Sequence, residues 1–292
     1  MSRRGKNVAE YANGVLVDPE WLEQHLDDDS IRIVEVDENP ALYRRPHYRE
    51  AHIPGAIGFD WKLDLQDQVK RDFLGPEDFG KLLGSRGISN DHQIILYGDR
   101  NNWFAAYTYW YLKYYGHDNV RLLDGPRERW ISAGRPITSV QLRFEAATFT
   151  ATTGDERIRA KRDEVLSALE TDSHALVDVR TPREYSGELV TMSGYENEGA
   201  QRGGHIPGAK SIPWSQAVTD DGAFKSADEL RELYAARGVL NGKPIITYCR
   251  IGERSAHTWF VLHELLGEAD VKNYDGSWAE WGNLIGVPIE KG

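Results

Sequence analysis

Cysteine is almost absent: Cys249 is the only one in 292 residues. No internal disulfide and no multi-cysteine zinc site can form. A reactive thiol would find no resolving partner in the chain, so its cargo must pass to an external acceptor. That suits a reducing, cytoplasmic setting. No stretch approaches the roughly 18 consecutive apolar residues of a membrane span. The basic start, Met1-Ser-Arg-Arg-Gly-Lys, is followed by no apolar segment, so a secretory leader is not expected. Positive charge is also short, with 35 Lys and Arg against 46 Asp and Glu, a net charge of −11. That balance argues against a nucleic-acid partner, which needs a concentrated basic surface. Local basic runs such as 157–162 are bounded by acids, here Asp155-Glu156 and Asp163-Glu164, and read as solvated helix faces. What is present, 40% hydrophobic and 28% charged residues, describes a soluble globular protein long enough for two domains with separate cores.

The single cysteine sits at an informative place. Pro244-Ile-Ile-Thr-Tyr248 is a short apolar, β-branched strand ending at Cys249. Arg250-Ile251-Gly252-Glu253-Arg254 then leads into Ser255–Leu266, an expected helix closed by Gly267. A thiol between a strand end and a helix start meets unpaired backbone N–H groups and the positive end of the helix dipole. With Arg250 and Arg254 added, the expected thiol pKa falls from about 8.5 into the range of roughly 3.5–7.5, as for a nucleophile. A buried structural cysteine is the alternative. The charged neighbours fit it poorly, because a core thiol gains nothing from two arginines.

The chain repeats itself. Glu50-Ala-His-Ile-Pro-Gly-Ala56 recurs as Gly203-Gly-His-Ile-Pro-Gly-Ala209, each followed by a tryptophan, Trp61 and Trp214. Arg86-Gly87 recurs 151 residues later as Arg237-Gly238, and the same offset pairs Tyr97 with Tyr248, Asp124-Gly125 with Asp275-Gly276, and Trp130 with Trp281. One long period means a duplicated domain. Expected domains are 8–140 and 156–290, with the boundary in the polar stretch from about Gly134 to Asp155. Each half alternates short apolar strands with amphipathic helices. The fold class is therefore α/β: two tandem domains, each a mostly parallel sheet flanked by helices on both faces. Ligands of such sheets bind beyond the strand C-termini, where Cys249 lies, and the boundary between the halves is expected to wall a cleft. At the 151 offset Gly98 faces Cys249 and Asp99 faces Arg250, so only the second copy carries the nucleophile.

This arrangement resembles the tandem-domain rhodaneses, the thiosulfate and 3-mercaptopyruvate sulfurtransferases, over nearly the whole chain. The resemblance rests on His205-Ile-Pro-Gly-Ala209 and its copy at His52, on Asp178-x-Arg180-x-x-x-Glu184-Tyr185, on Tyr248-Cys249-Arg-Ile-Gly252 and on Asp275-Gly-Ser-Trp-Ala-Glu-Trp281. It implies that Cys249 attacks the outer sulfur of thiosulfate, forms a persulfide and expels sulfite, and that cyanide or a thiol then removes the sulfur. Arg250, Ile251, Gly252, Glu253 and Arg254 would form the substrate-binding loop, their backbone N–H groups curling around the sulfur. Arg180 and Arg183 are further candidates for donor contacts. No metal and no organic cofactor are implied. The small-molecule donor is taken as thiosulfate, because mercaptopyruvate enzymes carry a small residue where Arg250 stands and thiosulfate is a dianion. The sequence departs from the thiosulfate pattern at Ile251, where a Lys is usual, and at Glu184, which occupies the place of an arginine; Arg254 is a candidate to replace that charge.

Other readings stay open beside this one. A 3-mercaptopyruvate sulfurtransferase, and a persulfide carrier serving a partner protein, would need Cys249 equally. A phosphatase of the Cys-x5-Arg type is disfavoured, because Arg254 arrives one residue early and position 255 is Ser. His52 and His205 stand in both copies, including the one without a nucleophile, and read as structural. Asp178, Arg180 and Glu184 read as an ion-pair network, Trp103–Tyr115 as core and domain interface, and His257 and His263 as packing or surface residues. Segment 186–202, without a counterpart in the first half, reads as a surface loop near the cleft rim.

Overall fold

The computed structural model describes residues 11–37, 48–192, 195 and 198–292. These divide into two compact units. One comprises Val15–Asp155 with Asp220–Ala223, and the other Glu156–Thr219 and Phe224–Gly292 with the described residues before Val15. The leading residues join the second unit through the Ala12 N–H on the Leu265 carbonyl (2.9 Å) and the Tyr11 hydroxyl on the Lys225 carbonyl (2.8 Å). The 134–155 stretch, expected as linker, runs along the first unit. There the Ala147 N–H reaches the Gly84 carbonyl (2.9 Å), the Thr152 N–H reaches the Tyr115 carbonyl (3.0 Å), and Phe149 meets Phe79 edge-on.

The first unit contains β1 (Leu16–Val17), β2 (Ile31–Asp37), β3 (Ile57–Asp60), β4 (Gln93–Gly98) and β5 (Val120–Leu123). Its helices are α1 (Pro19–Glu23), α2 (Pro76–Ser85), α3 (Trp103–Tyr114) and α4 (Arg127–Ser132). The second unit contains β6 (Arg159–Ala160), β7 (Ala175–Asp178), β8 (Lys210–Ser211), β9 (Ile245–Tyr248) and β10 (Val271–Tyr274). Its helices are α5 (Arg162–Thr171), α6 (Pro182–Ser186), α7 (Ala227–Ala235), α8 (Glu253–Trp259) and α9 (Ser277–Trp281). The sheet orders, β1-β5-β4-β2-β3 and β6-β10-β9-β7-β8, are the same pattern twice, with every pairing parallel. Parallel neighbours need crossover connections, and the flanking helices supply them. The central strand β9 is buried at all four residues, as its β-branched run requires.

The duplication extends to individual hydrogen bonds. The hydroxyls of Tyr97 and Tyr248 accept the N–H groups of Ile53 and Ile206, both at 3.0 Å, tying each His-Ile-Pro-Gly turn to its central strand. Tyr48 and Tyr185 each donate to the alanine carbonyl closing that turn, Ala56 and Ala209, at 2.8 Å. Trp130 and Trp281 donate their indole N–H to the carbonyls of Pro136 and Pro288. A buried Tyr or Trp needs such a partner for its polar end. These shared residues recur in the apolar core of each unit, Ile53, Tyr97 and Trp130 in one and Ile206, Tyr248 and Trp281 in the other.

Candidate active site

β9 delivers Cys249 to the C-terminal edge of the second sheet, with its side chain fully buried. The helix expected from Ser255 begins two residues earlier, because Gly252 takes φ = +98° and acts as the N-cap of α8. A Cβ at Gly252 would sit 2.6 Å from Asp275 Cα, so neither the dihedral nor the space admits another residue without strain. Beyond Trp259 the helix widens into π geometry over Phe260–Leu265, rather than running to Leu266 as a regular α-helix. The Gly252 N–H points at the cysteine and donates to Sγ at 3.2 Å. Ile251 is buried beside it.

The loop is clamped from a direction that sequence reasoning did not assign. Ser277 Oγ accepts the Cys249 N–H at 3.1 Å and donates to the Tyr274 carbonyl at 2.6 Å. The N–H groups of Trp278 and Ala279 hold the Cys249 and Arg250 carbonyls at 3.1 and 2.8 Å. Asn273 Nδ2 donates to the Gly252 carbonyl at 3.0 Å. The repeated Asp-Gly pair before Ser277 was the available signal, since both copies place it after the last strand.

The electrostatics differ from expectation. The Cys249 thiol is pushed above its ordinary value, first by burial and then by the Glu253 carboxylate, against the pull of Arg254 and Ser255. The two arginines expected to lower it are held by carboxylates. Arg250 lies 3.1 Å from Glu253 Oε1 and 2.7 Å from Glu198 Oε2. Arg254, almost fully buried, grips Glu184 with both terminal nitrogens at 3.0 and 2.9 Å. Burial pushes the Glu184 carboxyl up, but Arg254 outweighs it and holds the group down at about 2. Glu184 also caps α6, accepting the Thr181 N–H while Thr181 accepts the Glu184 N–H. Arg254 therefore does not present the open charge that a thiosulfate-type arginine would.

Arg180 is buried as well. Its guanidinium donates three times to Asp178 and once to the Gly204 carbonyl, and lies 4.5 Å from the Trp278 ring centroid. Arg183 is an exposed side chain paired with Glu188 at 2.9 Å. Their geometry lends no support to donor contacts. His52 and His205 each place Nδ1 on a tyrosine carbonyl, Tyr48 and Tyr185, and stack on that tyrosine ring. This matches their reading as structural.

The segment 186–202, expected as a surface loop, bears directly on the neighbourhood of Cys249 in its described residues. Tyr195 is buried with its ring 3.8 Å from the Arg250 guanidinium, and Glu198 pairs with the same group. Its lack of a counterpart in the first half was the one sequence signal for this. In the first unit, Gly98 stands in place of the cysteine and donates its N–H to Oδ1 of Asn102 (2.9 Å), the left-handed residue at the start of α3. A side-chain amide there closes the loop that Ser277 supports in the second copy. Among the described residues, no group of His, Cys, Asp and Glu is placed to hold a metal, and no helix is long and apolar enough to cross a membrane.

A lone cysteine at a parallel strand's end, with a backbone N–H directed at its sulfur, is the geometry that covalent transfer through a thiol requires. The rhodanese-like domain matches residues 18–133 and again 161–284, so the chain belongs to the rhodanese family as a tandem of two such domains. It is 53% identical to the sulfur carrier protein TtuD of Thermus thermophilus over 95% of this chain and 97% of that protein. It is also 53% identical to a Haloferax volcanii protein provisionally named a thiosulfate sulfurtransferase, over 97% and 99% of the two chains. Among solved structures, the 3-mercaptopyruvate sulfurtransferase SseA of Escherichia coli matches with a TM-score of 0.78 at 28% identity, covering 90% of this chain and 98% of that one. EanB, captured as a cysteine persulfide with ergothioneine, matches with a TM-score of 0.81 at 26% identity, covering 95% and 70%. The protein is thus a sulfurtransferase of the rhodanese family.

Proposed function

We propose that the chain is a thiosulfate sulfurtransferase working through a Cys249 persulfide. The observation that carries this reading is the Gly252 N–H held 3.2 Å from a fully buried Sγ. A positioned donor of that kind stabilises negative charge on Sγ, both as it attacks and as the persulfide bond later breaks back onto it. Thiolate attack on the outer sulfur of thiosulfate breaks its S–S bond, and sulfite departs with the electron pair. Cyanide or a cellular thiol then attacks the outer persulfide sulfur and regenerates Cys249. Arg250, buried in the loop, meets the anionic end of the donor by exchanging its contact with Glu198 for one with thiosulfate. Ile251 and Gly252 shape the wall. The first copy, lacking a nucleophile, serves as scaffold.

The likeness to TtuD favours a second reading, in which the same cysteine carries sulfur from one protein to another. The paired state of Arg250 is compatible with it, because a carrier needs no open cation for a small dianion. Intact-protein mass after incubation with thiosulfate tests the choice, with a Cys249→Ser control. A gain of one sulfur atom on the wild type alone, removed by cyanide, supports the thiosulfate reading. A gain only with 3-mercaptopyruvate moves the donor to that compound. A gain only from a protein persulfide moves the function to the carrier.

A further inference from the structure

Glu253 is fully buried, and its two carboxylate oxygens have different partners. Oε1 receives Arg250 Nη2 at 3.1 Å, while Oε2 lies 3.4 Å from Cys249 Sγ as the acceptor of the thiol hydrogen. The local sequence sets this up: Glu253 is the first residue of α8, four positions after Cys249, and the Gly252 turn folds the sulfur back over it. Arg250 fixes the carboxylate from the far side, and Glu198 anchors Arg250 in turn. Arg254 faces the same pair but is committed to Glu184, and Ser255 is a further polar neighbour of the sulfur.

From this geometry we infer that Glu253 is a catalytic residue, the proton acceptor for the Cys249 thiol in the first half-reaction and the proton donor in the second. The inference rests on reading Cys249 as the sulfur-accepting nucleophile. In the first step the S–H bond breaks and its proton passes to Glu253 Oε2. The sulfur lone pair forms the S–S bond to the donor's outer sulfur, and the donor's own S–S bond breaks with its electron pair leaving on sulfite. In the second step the acceptor takes the outer sulfur, the persulfide bond breaks onto Cys249, and the proton returns from Glu253. No proton is consumed over the cycle with cyanide or a thiolate as acceptor.

The physical reason is charge. A thiolate or persulfide anion beside an ionised carboxylate would place two like charges in contact within a dry loop, which strongly opposes ionisation. The direction of the thiol shift, upward through burial and Glu253, reports that opposition. Proton transfer removes it: of this pair, Glu253 bears the negative charge before the step and the persulfide bears it afterwards. A thiol that is hard to ionise can then react at neutral pH without being thiolate at rest.

The test is Glu253→Gln, with Glu253→Asp as the conservative partner, read in two ways. One is the single-turnover rate of persulfide formation from thiosulfate; the other is the rate of Cys249 alkylation by iodoacetamide, which needs no sulfur donor. Thermal melts establish that each variant is folded. The proposal expects Glu253→Gln to lower both rates at pH 7 by about 10²-fold or more, the range of a lost general base. It also expects both rates to climb with pH as hydroxide takes over, with partial recovery in Glu253→Asp. A Glu253→Gln protein that reacts as fast as or faster than wild type at pH 7 would overturn it, because removal of a repelling charge would then be the whole effect. Wild type that is alkylated but takes no sulfur from thiosulfate would sink the donor assignment and leave the alkylation comparison to decide the role of Glu253.

Discussion

His257 offers a sharp test of how the core behind the Cys249 loop is built. It lies on α8, fully buried, with its ring stacked 4.9 Å from Phe224 and set edge-on to Trp214 at 5.2 Å. Neither ring nitrogen has a hydrogen-bond partner among the described residues. Burial alone pulls its pKa from 6.5 down to about 3. The imidazole is therefore neutral in the folded protein at every pH above about 3, while the unfolded chain takes up a proton below 6.5. Stability should fall as pH drops through that window. The linkage cost amounts to about 0.2 kcal/mol at pH 7, about 2 kcal/mol at pH 5 and about 3 kcal/mol at pH 4. His257→Phe removes the titration and keeps the aromatic stack. Its pH-independent effect is a difference of opposed costs: relief of two unpaired buried nitrogens, worth about 1–3 kcal/mol each, against the strain of a slightly larger ring. The slope decides. Thermal melts between pH 4.5 and 7.5 should show the variant's advantage growing toward acid, by roughly 4–8 °C between pH 7 and 5. Parallel curves for variant and wild type would refute the argument and mean that the ring finds a proton partner when folded.

Glu184, held at about 2 by Arg254, contributes about 3 kcal/mol that is present above pH 4.5 and lost as pH falls from 4.5 toward 2, so Glu184→Gln should flatten that lower acid limb in the same melts. Arg254→Met leaves Glu184 buried without its cation and should cost about 3–5 kcal/mol in a denaturant titration, most of it regained in the double variant with Glu184→Gln. Gly252→Ala must adopt φ = +98° and push against Asp275, and we expect at least about a tenfold loss of persulfide formation by mass spectrometry with the fold retained. Ser277→Ala removes the acceptor of the Cys249 N–H. Destabilisation of about 1–3 kcal/mol is expected, and an unchanged melt would show that another group takes over that N–H.

Much of the fold is legible in the sequence because duplication doubles every signal. The run Ile245–Tyr248 and its copy in β4 announce central strands, and the paired His-Ile-Pro-Gly turns recur at the same place in each half. The two-residue edge strands β1 and β6 are too short to carry a period, so nothing in the sequence marks them. At the site, Cys249 stands out by its neighbours' charge, but the sign of their effect does not. Arginine next to cysteine reads as activation only while the carboxylates that meet those arginines are unknown. Glu184 meets Arg254 across 70 residues of sequence, and Glu198 meets Arg250 from the segment that has no counterpart in the first half. Only the folded chain brings these charges together.

The closed loop of the first copy sets a stoichiometry. A Cβ at Gly98 would lie 2.3 Å from the Val36 carbonyl oxygen, so this half lacks the room for a nucleophile as well as the nucleophile itself. Restoring a thiol there by a single substitution would displace β2, the strand beside it. On the function proposed above, each chain loads one sulfur atom per cycle and has no second cysteine of its own to receive it. Any product that needs two sulfurs must draw them from two visits, or from two molecules.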